Sequence, residues 1–175
     1  MFGKAKQIGI VLVLLACVGC SQQAPQRPSR RMGQTPVVDS ATIALMELNQ
    51  RLAQAADEQI AQLAQAQEEP YALYEANAWM HIFDHGDETS QLPSKNEPMS
   101  IHLRVMNLDE RLLMDSEGTY TLGKRELPIA VEENIGELYH GGKARLYVPW
   151  YSAYGLQGTA TIPPYENVII DIELK

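Results

Sequence analysis

The sequence predicts an α+β fold: an antiparallel sheet with one short helix, preceded by a long helix. Three observations predict it. Near the C-terminus, apolar residues take every second place, as Ala144, Leu146, Val148 and again as Val168, Ile170, Ile172, Leu174. Arg145, Tyr147, Ile169, Asp171 and Glu173 fill the alternate places, and period two marks half-buried strands. Residues 39–69 are rich in Ala, Leu and Gln and contain neither Gly nor Pro, a helical composition.

In chain order, Lys4 and Lys6 precede an apolar run from Ile8 to Ala16 that only Gly9 interrupts. The run is too short to span a bilayer and reads as a signal peptide over 1–16. Leu14-Leu15-Ala16-Cys17 resembles the lipobox cut by signal peptidase II, so Cys17 is the expected lipidated residue. Cys20, after Cys17-Val18-Gly19, is the rival. The acyl chains would hold the chain to a membrane surface. Val18 gives no Asp retention signal, which favours the outer membrane, facing the periplasm. Both cysteines lie in this leader, so the folded part has no disulfide and no thiolate chemistry.

Residues 17–38 carry Pro25, Pro28 and Pro36 among polar residues and read as a disordered tether. With 14 basic against 22 acidic residues the formal charge is −8. No basic stripe interleaves with aromatics, which argues against a nucleic-acid partner. In the helix expected over 39–69, Leu45, Leu48 and Leu52 share one stripe, which shifts by a residue to Ala56, Ile60 and Leu63. Such a stripe can pack on its own domain or pair with a second copy as a homodimer.

A folded domain is expected over 71–175. Residues 71–83 lead into a first strand. His81, Asp84, His85 and Asp87 are sound ligand types, but they sit at a strand end beside Gly86 with no distant ligand, and read as solvated turn residues. No metal site is assigned. Ile101, Leu103 and Val105 alternate with His102 and Arg104 in a further strand. Pro128 suits a helix start, and Val131, Ile135 and Leu138 fall on one face up to His140-Gly141-Gly142, where the helix is expected to end. Between the last two strands lies a long loop with Tyr147, Trp150, Tyr151 and Tyr165 around it. Those aromatics can line a groove or cap the sheet.

This loop carries Ala153-Tyr154-Gly155, then Gly158, then Ile162-Pro163-Pro164, followed by the strand Val168 to Leu174. In that order and spacing the stretch resembles the end of the FKBP-type peptidyl-prolyl cis-trans isomerases. The resemblance extends upstream to about Tyr71, and is nearest to the FKBP-like lipoproteins associated with gliding motility. It implies a strongly bent antiparallel sheet wrapped on the short helix. It also implies isomerisation of Xaa-Pro bonds in polypeptide clients, without cofactor, as an aid to folding of exported envelope proteins.

By the same resemblance, Tyr154 and Asp115 are the expected catalytic residues, Tyr154 donating its hydroxyl to a substrate carbonyl. Met114, Leu127, Val131, Ile162 and Ile170 are the expected substrate-binding walls. Asp115 follows from matching Met114-Asp115-Ser116 to the family's Phe-Asp-Ser; on its own, Asp-Ser-Glu-Gly also reads as a turn. Leu103, Met114, Val131 and Ile170 stand where the family often has aromatics. These departures leave a second function open, a catalytically weak chaperone or assembly module on the same fold.

Overall fold

A computed structural model describes residues 39–175. The expected signal peptide and tether, with Cys17 and Cys20, lie outside the described residues. Helix α1 runs Ser40–Gln65 and ends short of the predicted 69. Its last turn tightens: the Ala66 N–H bonds the Gln62 and Leu63 carbonyls at 3.1 and 3.3 Å, and that of Gln67 bonds Ala64 at 3.4 Å. No basic residue sits in that turn. Continuing the helix would add Glu68 and Glu69 to the negative end of its dipole.

Six strands follow: β1 (Ala72–Leu73), β2 (Trp79–Asp84), β3 (Pro98–Asn107), β4 (Leu112–Thr121), β5 (Lys143–Val148) and β6 (Val168–Leu174). They form one sheet in the order β1-β2-β5-β6-β3-β4. Every neighbouring pair is antiparallel. The last strand is central, pairing Ile170 with Leu146 on one side and with Val105 on the other.

Helix α2 (Ile129–Asn134) starts after Pro128, whose carbonyl accepts the N–H groups of Val131 and Glu132 at 3.0 and 2.9 Å. It ends earlier than the expected glycines: a 3-10 turn, Ile135–Glu137, follows, and Leu138 is already extended. The Asn134 side chain is buried at this junction and bonds the Ala130 carbonyl at 2.7 Å and the backbone of Glu75 twice at 3.1 Å, while the backbone stays right-handed through Ile135.

Strand alternation gives the sheet two unlike faces. The inner face sets Leu103, Val105, Leu146, Ile170 and Ile172 against Val131, Ile135 and Leu138, all buried. On the outer face, Met106, Tyr147 and Ile169 are covered by Ile60 and Ala64 of α1, with Leu63, Tyr71, Trp79 and Leu108 at the rim. Burying Ile60 and Ile169 contributes about 1.5–3 kcal/mol each. The C-terminal half of α1 therefore packs on its own domain. Ile43, Leu45, Leu48 and Leu52, in the N-terminal half, stay exposed.

The outer face also carries ion pairs. Arg145 donates to both oxygens of Asp171 at 2.6 and 2.9 Å, a two-point bond that raises the guanidinium pKa further. Glu173 lies 3.0 Å from Lys175 and 3.4 Å from Lys143.

Candidate active site

The loop between β5 and β6 is shaped by backbone demands that its sequence meets. A 3-10 turn, Trp150–Ser152, opens it, and the Gly155 N–H bonds the Trp150 carbonyl at 2.8 Å. Gly158 has φ +63°, and a Cβ there would stand 2.2 Å from the Ile162 carbonyl oxygen. Only glycine tolerates both conditions. The Thr159 N–H bonds that same carbonyl at 2.8 Å, while the Thr159 hydroxyl accepts from the Ile162 N–H at 3.1 Å. The chain thus doubles back and buries Ile162, at 1% exposure, in the inner core.

Tyr154 packs half-buried against that core. Its hydroxyl is the one buried side-chain polar atom among the described residues that has no hydrogen-bond partner. Burial first, and the nearby Tyr120 second, push its pKa up to about 12, so the phenol keeps its proton at neutral pH. In the same core, Val131, Ile162 and Ile170 are closed to solvent, and Leu127 is nearly so. Met114 is half-buried against the same cluster. The structure therefore brings six expected residues together on the inner face: Tyr154, Met114, Leu127, Val131, Ile162 and Ile170.

Asp115 is placed elsewhere. It pairs with Arg104 in the β3–β4 register, while Met114 pairs with Val105 and Ser116 with Leu103. Val105 and Leu103 face inward, so alternation turns Met114 and Ser116 in and Asp115 out. Its carboxylate, 49% exposed, lies 2.6 Å from His102 Nε2 and 3.8 Å from Arg104 Nε. This corrects the expectation that Asp115 lines the pocket beside Met114. Adjacent residues of an unbroken strand cannot share a face. Nor does Asp-Ser-Glu-Gly form a turn, since β4 runs through it to Thr121.

Sequence reasoning missed Tyr120. Met114, Ser116, Gly118 and Tyr120 occupy the inner row of β4, and the Tyr120 ring lies over Gly118, where an added Cβ would meet it at 3.3 Å. Its hydroxyl stands 3.3 Å from Ser116 Oγ. The available signal was a glycine two places before an aromatic in a strand, which leaves room for a folded-back ring. Nearby, the Glu132 carboxylate accepts the N–H groups of Gly123 and Arg125 at 2.6 and 3.2 Å, tying the segment before α2 to that helix.

Trp150 and Tyr147 are buried, while Tyr151 and Tyr165 bond residues of α1. At the end of β2, Asp84 accepts the Gly86 N–H, and Asp87 accepts the N–H and hydroxyl of Thr89. His81 Nδ1 lies 3.0 Å from the Pro70 carbonyl. Among the described residues no three His, Cys, Asp or Glu side chains gather in a metal-holding group.

Tyr154 thus brings an unpartnered hydroxyl to an inner core of aliphatic side chains that are closed to solvent. The architecture defines a class: α+β domains in which an antiparallel sheet packs on a short helix. Residues 90–175 match the family model of the FKBP-type peptidyl-prolyl cis-trans isomerases. A peptidyl-prolyl cis-trans isomerase from Pseudomonas syringae pv. tomato has a similar structure, with TM-score 0.59 at 19% identity over 71% of this chain and 92% of that one. FkpA from Escherichia coli gives TM-score 0.59 at 18% identity over 98% and 80%. The N-terminal domain of FKBP42 from Arabidopsis thaliana gives 0.52 at 21% over 62% and 91%. At these identities the likenesses establish the fold. A comparison with curated proteins by sequence found no match. Residues 90–175 carry the match to an FKBP-type peptidyl-prolyl cis-trans isomerase domain.

Proposed function

We propose that the pocket under Tyr154 isomerises Xaa-Pro bonds in polypeptide clients and thereby assists the folding of exported envelope proteins. The observation that carries this reading is the buried, unpartnered Tyr154 hydroxyl above a dry aliphatic floor. Leaving a buried donor unsatisfied costs about 1–3 kcal/mol, which a bound carbonyl would recover. Rotation about a peptide bond is opposed by roughly 18–20 kcal/mol of amide resonance. The twisted amide has lost that resonance and its charge separation, so a dry pocket accepts it more readily than the planar forms. Each 1.4 kcal/mol of such preference gives about tenfold in rate. Tyr154 holds a carbonyl of the client; Met114, Leu127, Val131, Ile162 and Ile170 enclose the prolyl ring.

The sequence of the leader supports a lipid anchor on Cys17, or on Cys20, and a place at the periplasmic face of the outer membrane, as in the gliding-associated lipoproteins. Labelled palmitate incorporated by the wild type, and lost on Cys17→Ala or only on Cys20→Ala, decides between them. The exposed Ile43, Leu45, Leu48 and Leu52 favour pairing of two copies through residues 39–69. A sedimentation mass of a monomer at tens of micromolar would count against that pairing.

The complete burial of Val131 and Ile170 favours a second reading, a non-catalytic chaperone or assembly module with a shallow groove. NMR exchange on short Xaa-Pro peptides, using the chain from Gln34 onward, separates the two. Acceleration that Tyr154→Phe weakens supports the enzyme. No acceleration across several Xaa residues leaves the binding module.

A further inference from the structure

Helix α1 touches the Tyr154 loop through side chains that its apolar stripe does not require. Asn49 Oδ1 accepts from the Tyr165 hydroxyl at 3.4 Å, Asp57 Oδ1 accepts from the Tyr151 hydroxyl, and Gln59 Oε1 accepts from Asn167 Nδ2 at 2.9 Å. Asn167 in turn receives the Trp150 N–H at 2.9 Å. The Trp150 ring lies between those of Tyr151 and Tyr165, at centroid distances of 5.5 and 4.8 Å. Both ends of the loop are thereby gathered against one side of α1.

The tie continues to the 3-10 turn that precedes β2. The Tyr151 hydroxyl accepts from Asn77 Nδ2 at 2.8 Å while donating to Asp57, so its proton and an oxygen lone pair are both engaged. Asn77 closes the 3-10 turn Glu75–Asn77, in which Ala76 and Asn77 both have positive φ. Glu75 of that turn is held through its N–H and its carbonyl by the Asn134 side chain, at 3.1 Å each. Asn134 ends α2, the helix that supplies Val131 to the pocket floor. One chain of contacts therefore joins α1, the Tyr154 loop and α2. Burial, and then the bond to Asp57, push the Tyr151 pKa up to about 12, which keeps its proton in place.

We infer that α1 is a positioning element of the pocket, with Asp57 and Tyr151 as positioning residues that fix the loop carrying Tyr154. Only Ser152 and Ala153 separate Tyr151 from Tyr154, and the Gly155 N–H closes that turn on the Trp150 carbonyl. A hold on Tyr151 is thus passed to the Tyr154 phenol. The isomerase assignment of the pocket is the reading on which this role rests; the hold on the loop is open to measurement without it.

The test uses the whole protein with Tyr151→Phe, Asp57→Ala and Asp57→Asn, read by amide hydrogen exchange and by peptide isomerisation. Tyr151→Phe and Asp57→Ala are each expected to speed exchange at Gly155, Thr159 and Tyr165 by about tenfold, with the amides of β6 unchanged as the check on folding. The double variant adds little to either single change, because both remove one bond. Asp57→Asn keeps an acceptor and restores protection. On an Xaa-Pro tetrapeptide the two damaging variants raise KM more than they lower kcat. Unchanged loop exchange in Asp57→Ala overturns the positioning role, whatever the activity. A wild type that accelerates no peptide overturns the isomerase reading, and loop exchange still decides the hold of α1.

Discussion

The Asp115 carboxylate lies 2.6 Å from His102 Nε2 on the outer side of the sheet, while Tyr154 packs against its inner side. Two residues expected to share a pocket are separated by the thickness of a β-sheet. Tyr154→Phe removes only the hydroxyl and is expected to lower kcat/KM on Xaa-Pro peptides by about tenfold, the worth of one hydrogen bond. Asp115→Ala is expected to leave it within about twofold. NMR exchange measures both, and an equal loss in the two would return Asp115 to the pocket.

Ile170 is closed to solvent on the central strand, between Leu146 and Val105. Ile170→Ala is expected to cost about 2–5 kcal/mol of stability, through lost transfer energy and a residual cavity. Ile170→Phe restores an aromatic but inserts a ring among packed neighbours, with an expected cost of about 1–3 kcal/mol. Urea unfolding measures both. A Phe variant as stable as the wild type would reveal unfilled space in the floor.

Gly158 leaves no room for a side chain, with the Ile162 carbonyl oxygen 2.2 Å from its Cβ position and φ at +63°. Gly158→Ala is expected to destabilise by at least about 2 kcal/mol, combining left-handed strain with a backbone clash. The damage should begin at the Thr159–Ile162 bond, so the Thr159 amide loses protection in hydrogen exchange before the amides of β6 do.

Burial raises the pKa of four tyrosines: Tyr71, Tyr151 and Tyr154 to about 12, and Tyr147 in the same direction. The unfolded chain releases these protons near pH 10, the folded chain later. Their contribution to stability is therefore complete below pH 10 and is lost as pH rises through 10 toward 12. Phenolate absorbance on alkaline titration is expected to show a late phase coinciding with unfolding. Tyr154→Phe should remove about a quarter of its amplitude.

Strands 101–105, 144–148 and 168–174 were legible because each turns alternate apolar side chains into the inner core, and period two records this directly. The loop motif was legible because Gly158 and Ile162 meet local backbone demands. The face of Asp115 was not. The β3–β4 register shifts between Val105 and Met106, where Met106 pairs with Leu112 and Val105 with Met114. Such an extra residue leaves no mark in composition, and it decides which way every later side chain points. The contacts of α1 with the loop were also hidden. Asp57 and Tyr151 stand 94 residues apart, and a polar residue on a helix carries no sign of a distant partner. Ala76 and Asn77 take positive φ without being glycine, which propensity does not anticipate.

The placement of β6 has a consequence for the order of events during synthesis. A chain made from its N-terminus completes β2, β3, β4 and β5 before residues 168–174 exist. The strand those residues form is the one that joins β5 to β3. Until then the growing polypeptide holds two separate hairpin-like pieces with open edges, and the contacts that close the sheet span more than sixty positions between β3 and β6. Topology of this kind folds slowly and cooperatively. The sheet therefore cannot close until residues 168–174 have been made.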